Sequence, residues 1–127
     1  MVEKFFVTWD EVMYYVDSVQ KKYGNKGLKG VYGIPRGGLV LGVLISHRMN
    51  IPLLAAPVEG CLIVDDICDT GESLIHYDKN SSSLNKPVYH LTTMFYREGA
   101  CVTPEFFEHY KKDSWIVFPW EDKEEVI

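Results

Sequence analysis

The segment Cys61-Leu62-Ile63-Val64-Asp65-Asp66-Ile67-Cys68-Asp69-Thr70-Gly71-Glu72-Ser73 constrains this chain more than any other. A run of apolar residues ahead of two acids suits a central strand covered on both faces. Neighbours on a strand point to opposite faces, so Asp65 and Asp66 can serve one ligand only where the chain leaves the sheet. Thr70, Gly71 and Ser73 then offer hydroxyls and backbone N–H groups at the start of a helix, an arrangement that cradles phosphate. Carboxylates beside such a cradle suit sugar hydroxyls or Mg²⁺. Two plainer readings stand beside this one. The segment can be a polar strand-to-helix turn with Asp69 or Thr70 as the cap. Asp-Thr-Gly also serves aspartic proteases, but those are all-β chains with paired copies, and the flanking segments here are helical.

The rest of the chain supplies alternating helices and strands. Thr8-Trp9-Asp10-Glu11 is a capping box, and Val12, Tyr15, Val16 and Val19 recur behind it at helical spacing. Gly24 and Gly27 end that helix. A short strand is expected within Lys29–Ile34, a break at Gly33-Ile34-Pro35-Arg36-Gly37-Gly38, and a helix over Leu39–Arg48 with Leu41, Leu44 and Ile45 on one side. Ile51–Ala56 reads as a second strand, Glu72–Tyr77 as a short helix and Val88–Tyr96 as another strand. Asp78–Pro87, polar and Ser-rich, reads as a loop. Phe106–Lys112 reads as a turn of helix and Trp115–Phe118 as a last strand. This order implies an α/β fold, a mostly parallel sheet with helices on both faces, and ligands at the carboxyl ends of its strands.

Composition excludes several classes. With 127 residues, 46% of them hydrophobic, the chain makes one domain, residues 1–127, with a core of its own. The net charge of −5 and the lack of any basic block argue against a nucleic-acid partner. No apolar stretch approaches the ~20 residues of a membrane span. Met1-Val2-Glu3-Lys4 lacks a signal-peptide pattern. Three widely spaced cysteines make no disulfide framework, and four scattered histidines show no zinc spacing. The expectation is a cytoplasmic domain. His76 and His109 receive no functional role.

The Cys61–Ser73 segment resembles the phosphoribosyl-pyrophosphate (PRPP) signature of type I phosphoribosyltransferases. Pro35-Arg36-Gly37-Gly38 is similar to the pyrophosphate loop of that family. Val7-Thr8-Trp9-Asp10 and Trp115-Ile116-Val117-Phe118-Pro119-Trp120-Glu121 resemble the termini of its bacterial xanthine-guanine members, so the likeness runs in order over almost the whole chain. It implies a type I phosphoribosyltransferase-like fold. It also implies transfer of 5-phosphoribosyl from PRPP to a purine base, with release of pyrophosphate, as in purine salvage. By the same resemblance Asp65 and Asp66 take the ribose- and metal-binding positions, with Mg²⁺ as cofactor. Asp69 stands near the purine N7 as a general base. Asp69, Thr70, Gly71, Glu72 and Ser73 form the 5′-phosphate loop, and the charge of Glu72 points away from the phosphate. Arg36 and Gly37 hold pyrophosphate. Trp115 stacks on the purine, and the Ile116 backbone meets the base edge. Self-association as a homodimer or homotetramer is implied as well. For Trp115 core packing or an oligomer contact is the competing reading, and for Trp120 it is the preferred one.

The chain departs from that family in two places. Tyr96-Arg97 stands where the family has a lysine that reads the purine 6-oxo group, so Arg97 is the matching residue, with a larger and less adaptable fork. A solvated surface charge is the equal alternative for it. The second departure is the long flexible hood between the second strand and the PRPP strand. Here Pro57-Val58-Glu59-Gly60 follows the second strand almost at once, and the hood is reduced to a short connection. An oxocarbenium-like centre without a hood meets water. The alternative function is therefore a non-catalytic PRPP- or nucleotide-binding module of the same fold.

Overall fold

The computed structural model describes residues 3–78 and 87–121. Strand β1 spans Lys4–Phe6 and helix α1 Trp9–Tyr23. Strand β2 covers Val31–Gly33, helix α2 Gly37–Met49 and strand β3 Leu62–Cys68. A 3₁₀ helix covers Glu72–Tyr77, and strands β4, β5 and β6 cover His90–Tyr96, Phe106–Tyr110 and Trp115–Val117. One sheet runs β2-β3-β4-β5, and every pairing in it is parallel. A smaller parallel pair joins β1 to β6, with Phe5 opposite Ile116.

The capping box forms as the sequence requires. The Glu11 backbone N–H donates to Thr8 Oγ1 at 3.1 Å, and the Thr8 N–H donates back to Glu11 Oε1 at 3.0 Å. Val12, Tyr15, Val16, Val19 and Tyr23 line the buried stripe of α1. That stripe meets Leu41 and Ile45 of α2, with Val31, Leu62, Val64 and Met94 of the sheet, in one apolar core. Tyr15 anchors α1 to the sheet. Its hydroxyl lies 2.7 Å from Thr92 Oγ1, which donates to the Phe106 carbonyl at 2.8 Å. The opposite face of the sheet is covered by Leu74 and Tyr77 of the 3₁₀ helix and by Ala100 and Val102, packed on Ile63, Cys68, Leu91 and Tyr96. Helical elements therefore flank the parallel sheet on both faces, in an α/β fold.

Two expected elements differ. Phe106–Tyr110, expected within a helical turn, is a strand at the sheet edge. Phe106 stacks on Tyr15, while Phe107 faces Tyr96. Both faces of this edge strand are therefore occupied by aromatic partners, and no alternation of polar and apolar residues marks it. The strand expected over Ile51–Ala56 is a single bridge, Leu53 beside Val31. Its hydrogen bonds are Val31 N–H to the Pro52 carbonyl and Leu54 N–H to the Val31 carbonyl. Only residues 55–61 then connect Leu54 to β3, so no hood intervenes. The expected Asp78–Pro87 loop falls for the most part outside the described residues.

Candidate active site

The chemistry gathers at the carboxyl end of β3. Asp65 is 9% exposed, and its Oδ1 accepts the Asp66 backbone N–H at 2.9 Å. Asp66 Oδ1 accepts the Ile67 N–H at 2.7 Å. Each acid therefore turns one oxygen onto the next amide. Burial, with the Asp66 charge adding to it, pushes the Asp65 carboxyl up to about 8. Burial also raises Asp66. A site that disfavours the charge of two adjacent acids is one that a cation would complete. Mg²⁺ takes one or two carboxylates and fills the remaining positions with water and phosphate oxygens. Among the described residues no group of three His, Cys, Asp or Glu side chains could hold a metal. The pair thus fits Mg²⁺ in that substrate-assisted manner and not as an all-protein cage.

The Arg36-Gly37 loop lies against this pair. The Ile34 N–H donates to the Val64 carbonyl at 3.0 Å, and the Gly38 N–H donates to the Ile34 carbonyl at 2.8 Å. A Cβ on Gly37 would overlap the Asp66 carboxylate, and one on Gly38 would overlap the Val64 carbonyl. Glycine is needed at both positions for this approach. The Pro35–Arg36 peptide is cis. Arg36 is exposed at the N-cap of α2, whose first turn has neither a side-chain cap nor an acid. A helix N-terminus with its N–H groups uncapped by side chains favours an anion.

Beyond β3, Asp69 and Thr70 are exposed and Gly71 is buried with φ of 87°. The Thr70 carbonyl accepts the Cys101 N–H at 2.8 Å, and a Cβ on Gly71 would stand 2.8 Å from the Val102 nitrogen. Thr70 Oγ1 accepts the Glu72 N–H at 3.3 Å. The turn is thus held from behind by residues 101–102. Glu72 and Ser73 open the 3₁₀ helix on the exposed side.

Arg97 extends this turn toward β6. Its Nε donates to Asp69 Oδ1 at 2.5 Å, its Nη1 to Asp113 Oδ1 at 3.1 Å and its Nη2 to the Lys112 carbonyl at 3.3 Å. The two carboxylates raise the guanidinium pKa. The matching residue for base recognition therefore binds the matching residue for proton transfer. Asp113, which the sequence reading did not single out, binds the same side chain. Nothing local marks Asp113, because its partner lies 16 residues away.

Trp115 is 54% exposed, which sets aside core packing for it. Ile116 is buried and lines a cavity of about 280 Å³ with Phe5, Phe95, His109 and Lys112, on the other side of β6 from Trp115. Trp120 packs on Phe118 and Trp9, with ring centroids 4.7 and 6.0 Å away. The structure thus brings Arg97 to Asp69 and Gly37 to Asp66. It links the segment leading into Trp115 to the Asp69 turn through the contacts of Arg97 with Asp113 and the Lys112 carbonyl.

No protein-family model matches the chain. A xanthine-guanine phosphoribosyltransferase of Chromohalobacter salexigens is 24% identical over 142 aligned positions, covering 94% of this chain and 85% of the relative. The aligned length exceeds the 127 residues present here, so the relative carries insertions. A purine phosphoribosyltransferase from Pyrococcus horikoshii superposes with a TM-score of 0.77 at 26% identity, over 94% of both chains. A xanthine-guanine-hypoxanthine phosphoribosyltransferase of Helicobacter pylori does so with a TM-score of 0.70 at 17% identity, over 97% of both. Over almost its whole length the chain is similar to bacterial xanthine-guanine phosphoribosyltransferases, and it carries the type I phosphoribosyltransferase fold.

Proposed function

We propose that this protein transfers the 5-phosphoribosyl group of PRPP to a purine base and releases pyrophosphate. One observation carries the reading: the exposed Asp69 stands at the end of β3 in a turn built on Gly71, with Asp65, Asp66 and the Arg36-Gly37 loop behind it. In the transfer a bond forms between a purine ring nitrogen and C1 of the ribose. The bond from C1 to the pyrophosphate oxygen breaks, and its electron pair leaves with pyrophosphate. The ring N–H proton of the purine passes to Asp69 at N7. Thr70, Gly71, Glu72 and Ser73 hold the 5′-phosphate through backbone N–H groups and hydroxyls, with the Glu72 carboxylate turned away. Arg36 and the Gly37 N–H take the departing pyrophosphate by charge-assisted hydrogen bonds. Trp115 stacks on the purine, the Ile116 backbone meets its edge, and Arg97 donates to an exocyclic oxygen. Mg²⁺ at Asp65 and Asp66 would neutralise pyrophosphate charge and fix the ribose oxygens. Most of the rate enhancement then comes from positioning and charge stabilisation. A homodimer or homotetramer in the cytoplasm, with no nucleic-acid partner, belongs to the same proposal.

The second reading is a module that binds PRPP or a nucleotide without turnover. The short 55–61 connection favours it, since nothing in that segment is long enough to fold over the site. Pyrophosphate release from PRPP and Mg²⁺ separates the two. The assay is run with guanine, xanthine, hypoxanthine or adenine, and with no base. Base-dependent release is the expected result and names the purine. Release without base means hydrolysis at an unshielded centre. No release, with PRPP binding by calorimetry, establishes the binding module.

A further inference from the structure

We propose that Asp113 is a positioning residue: acting through Arg97, it locks the turn that carries Asp69 to the strand that carries Trp115. The identity of the ligands rests on the purine-transfer reading. The geometry rests on the Arg97 contacts alone.

The root of Arg97 is fixed by its backbone N–H, which donates to the Cys68 carbonyl at 2.8 Å. Its side chain then spans the gap between two segments that share no strand pairing. Nε reaches Asp69 on one side, and Nη1 and Nη2 reach Asp113 and the Lys112 carbonyl on the other. Asp113 stands two residues before Trp115, whose own N–H donates to the Glu3 carbonyl at 2.7 Å at the head of the β1–β6 pair. A shift of the Asp69 turn is therefore carried along a planar, rigid fork into the start of β6.

One exposed ion pair would not enforce this geometry, because such pairs hold loosely and exchange with water. Three acceptors on three different nitrogens of one guanidinium leave it no other rotamer that keeps them all. The Asp113 side chain is fully solvent-facing and the Asp69 side chain half so. The arrangement thus sets orientation more than stability. It also gives Asp113 a task during the transfer. When Asp69 accepts the purine proton, its carboxyl becomes neutral and its charge-assisted bond to Arg97 weakens. Asp113 then goes on holding the guanidinium beside the base until the proton leaves.

Two measurements test this. In steady-state kinetics, Asp113→Ala is expected to raise the purine KM about five-fold and leave the PRPP KM within about two-fold, the scale of coupling between neighbours that share a partner. Asp113→Glu restores the wild-type value. In an Arg97→Ala background, Asp113→Ala adds nothing. An equal rise in both KM values, or a persisting effect in the Arg97→Ala background, overturns the inference. The second measurement needs no turnover. The Trp115 indole N–H resonance, assigned with Trp115→Phe, is expected to shift in Asp69→Asn. The same Asp69→Asn change is expected to leave it in place when Asp113 is Ala. A shift of the same size in both backgrounds, or none in either, overturns the inference. Wild-type protein that neither binds nor turns over purine removes the transfer reading instead, and the resonance cycle still decides the role of Asp113.

Discussion

Arg97 illustrates how much of a site can be legible residue by residue while the arrangement stays hidden. The Asp65-Asp66 pair, the Asp69 turn and Gly71 all sit in one contiguous segment, and the chemistry of that segment follows from its order of residue types. That Arg97 clasps Asp69, 28 residues away, follows from no local pattern. Its consequence is testable at Asp69. Asp69→Asn keeps the shape of the side chain and a hydrogen-bond acceptor for Arg97 but removes the proton acceptor. Turnover is expected to fall ~10²–10⁴-fold, the usual contribution of a general base, while PRPP binding by calorimetry survives. Equal loss of both would move Asp69 from proton transfer to phosphate binding. Trp115 is expected to act on the base alone. Trp115→Ala removes a stacking surface that contributes about 1–3 kcal/mol per base. Purine affinity measured in the presence of pyrophosphate should drop accordingly, with PRPP affinity unchanged. An unchanged purine affinity would end the stacking assignment.

Among the elements, α1 was readable from end to end, because its capping box and its stripe of Val12, Tyr15, Val16 and Val19 are local signals. Helix α2 was readable as a helix, though it starts two residues earlier than its apolar residues suggest, at Gly37. Strand β5 was not readable. Its residues Phe106 and Phe107 face opposite layers, and each finds an aromatic partner, so the period-2 pattern of a half-exposed strand never appears. The connection between α2 and β3 shows the same limit: Leu53 earns only one bridge because the chain turns away at residues 55–61. What fixes α2 against β3 is backbone contact. Gly38 lies so near the Val64 carbonyl and the Asp65 Cα that a methyl group there must move α2 or β3. Gly38→Ala is expected to destabilise the fold by ~1–3 kcal/mol, the cost of an overpacked contact. Because the displaced strand carries Asp65, PRPP binding should weaken too. A variant with wild-type melting temperature would show that this approach is not close.

At the scale of the whole molecule, the parallel sheet sends the ends of β2, β3 and β4 to one edge, where Arg36-Gly37, the acids and Arg97 meet. The same sheet buries Asp65, and this makes the stability of the metal-free protein depend on pH. The folded Asp65 carboxyl is raised to about 8 by burial, against an ordinary value of 3.8, and its neighbour Asp66 shifts in the same direction. A raised folded value means that the native state holds a proton which the unfolded chain has already released. The stabilisation is complete below the unfolded value, declines as pH rises above it, and stops declining once pH passes the folded value. In EDTA, the melting temperature is therefore expected to fall between pH 5 and pH 8 by at least ~4 °C, the shift that ~1 kcal/mol produces in a small domain. This window lies below the titration of Cys68, which burial pushes up to about 11. Asp65→Asn removes the titrating group and should flatten the profile, and it should raise the melting temperature at pH 8. Mg²⁺ with pyrophosphate favours the ionised carboxylates, so its stabilising effect should be larger at pH 8 than at pH 5. A flat wild-type profile, or an Asp65→Asn protein that keeps the slope, would show that the Asp65 carboxyl is not the group whose burial opposes folding at neutral pH.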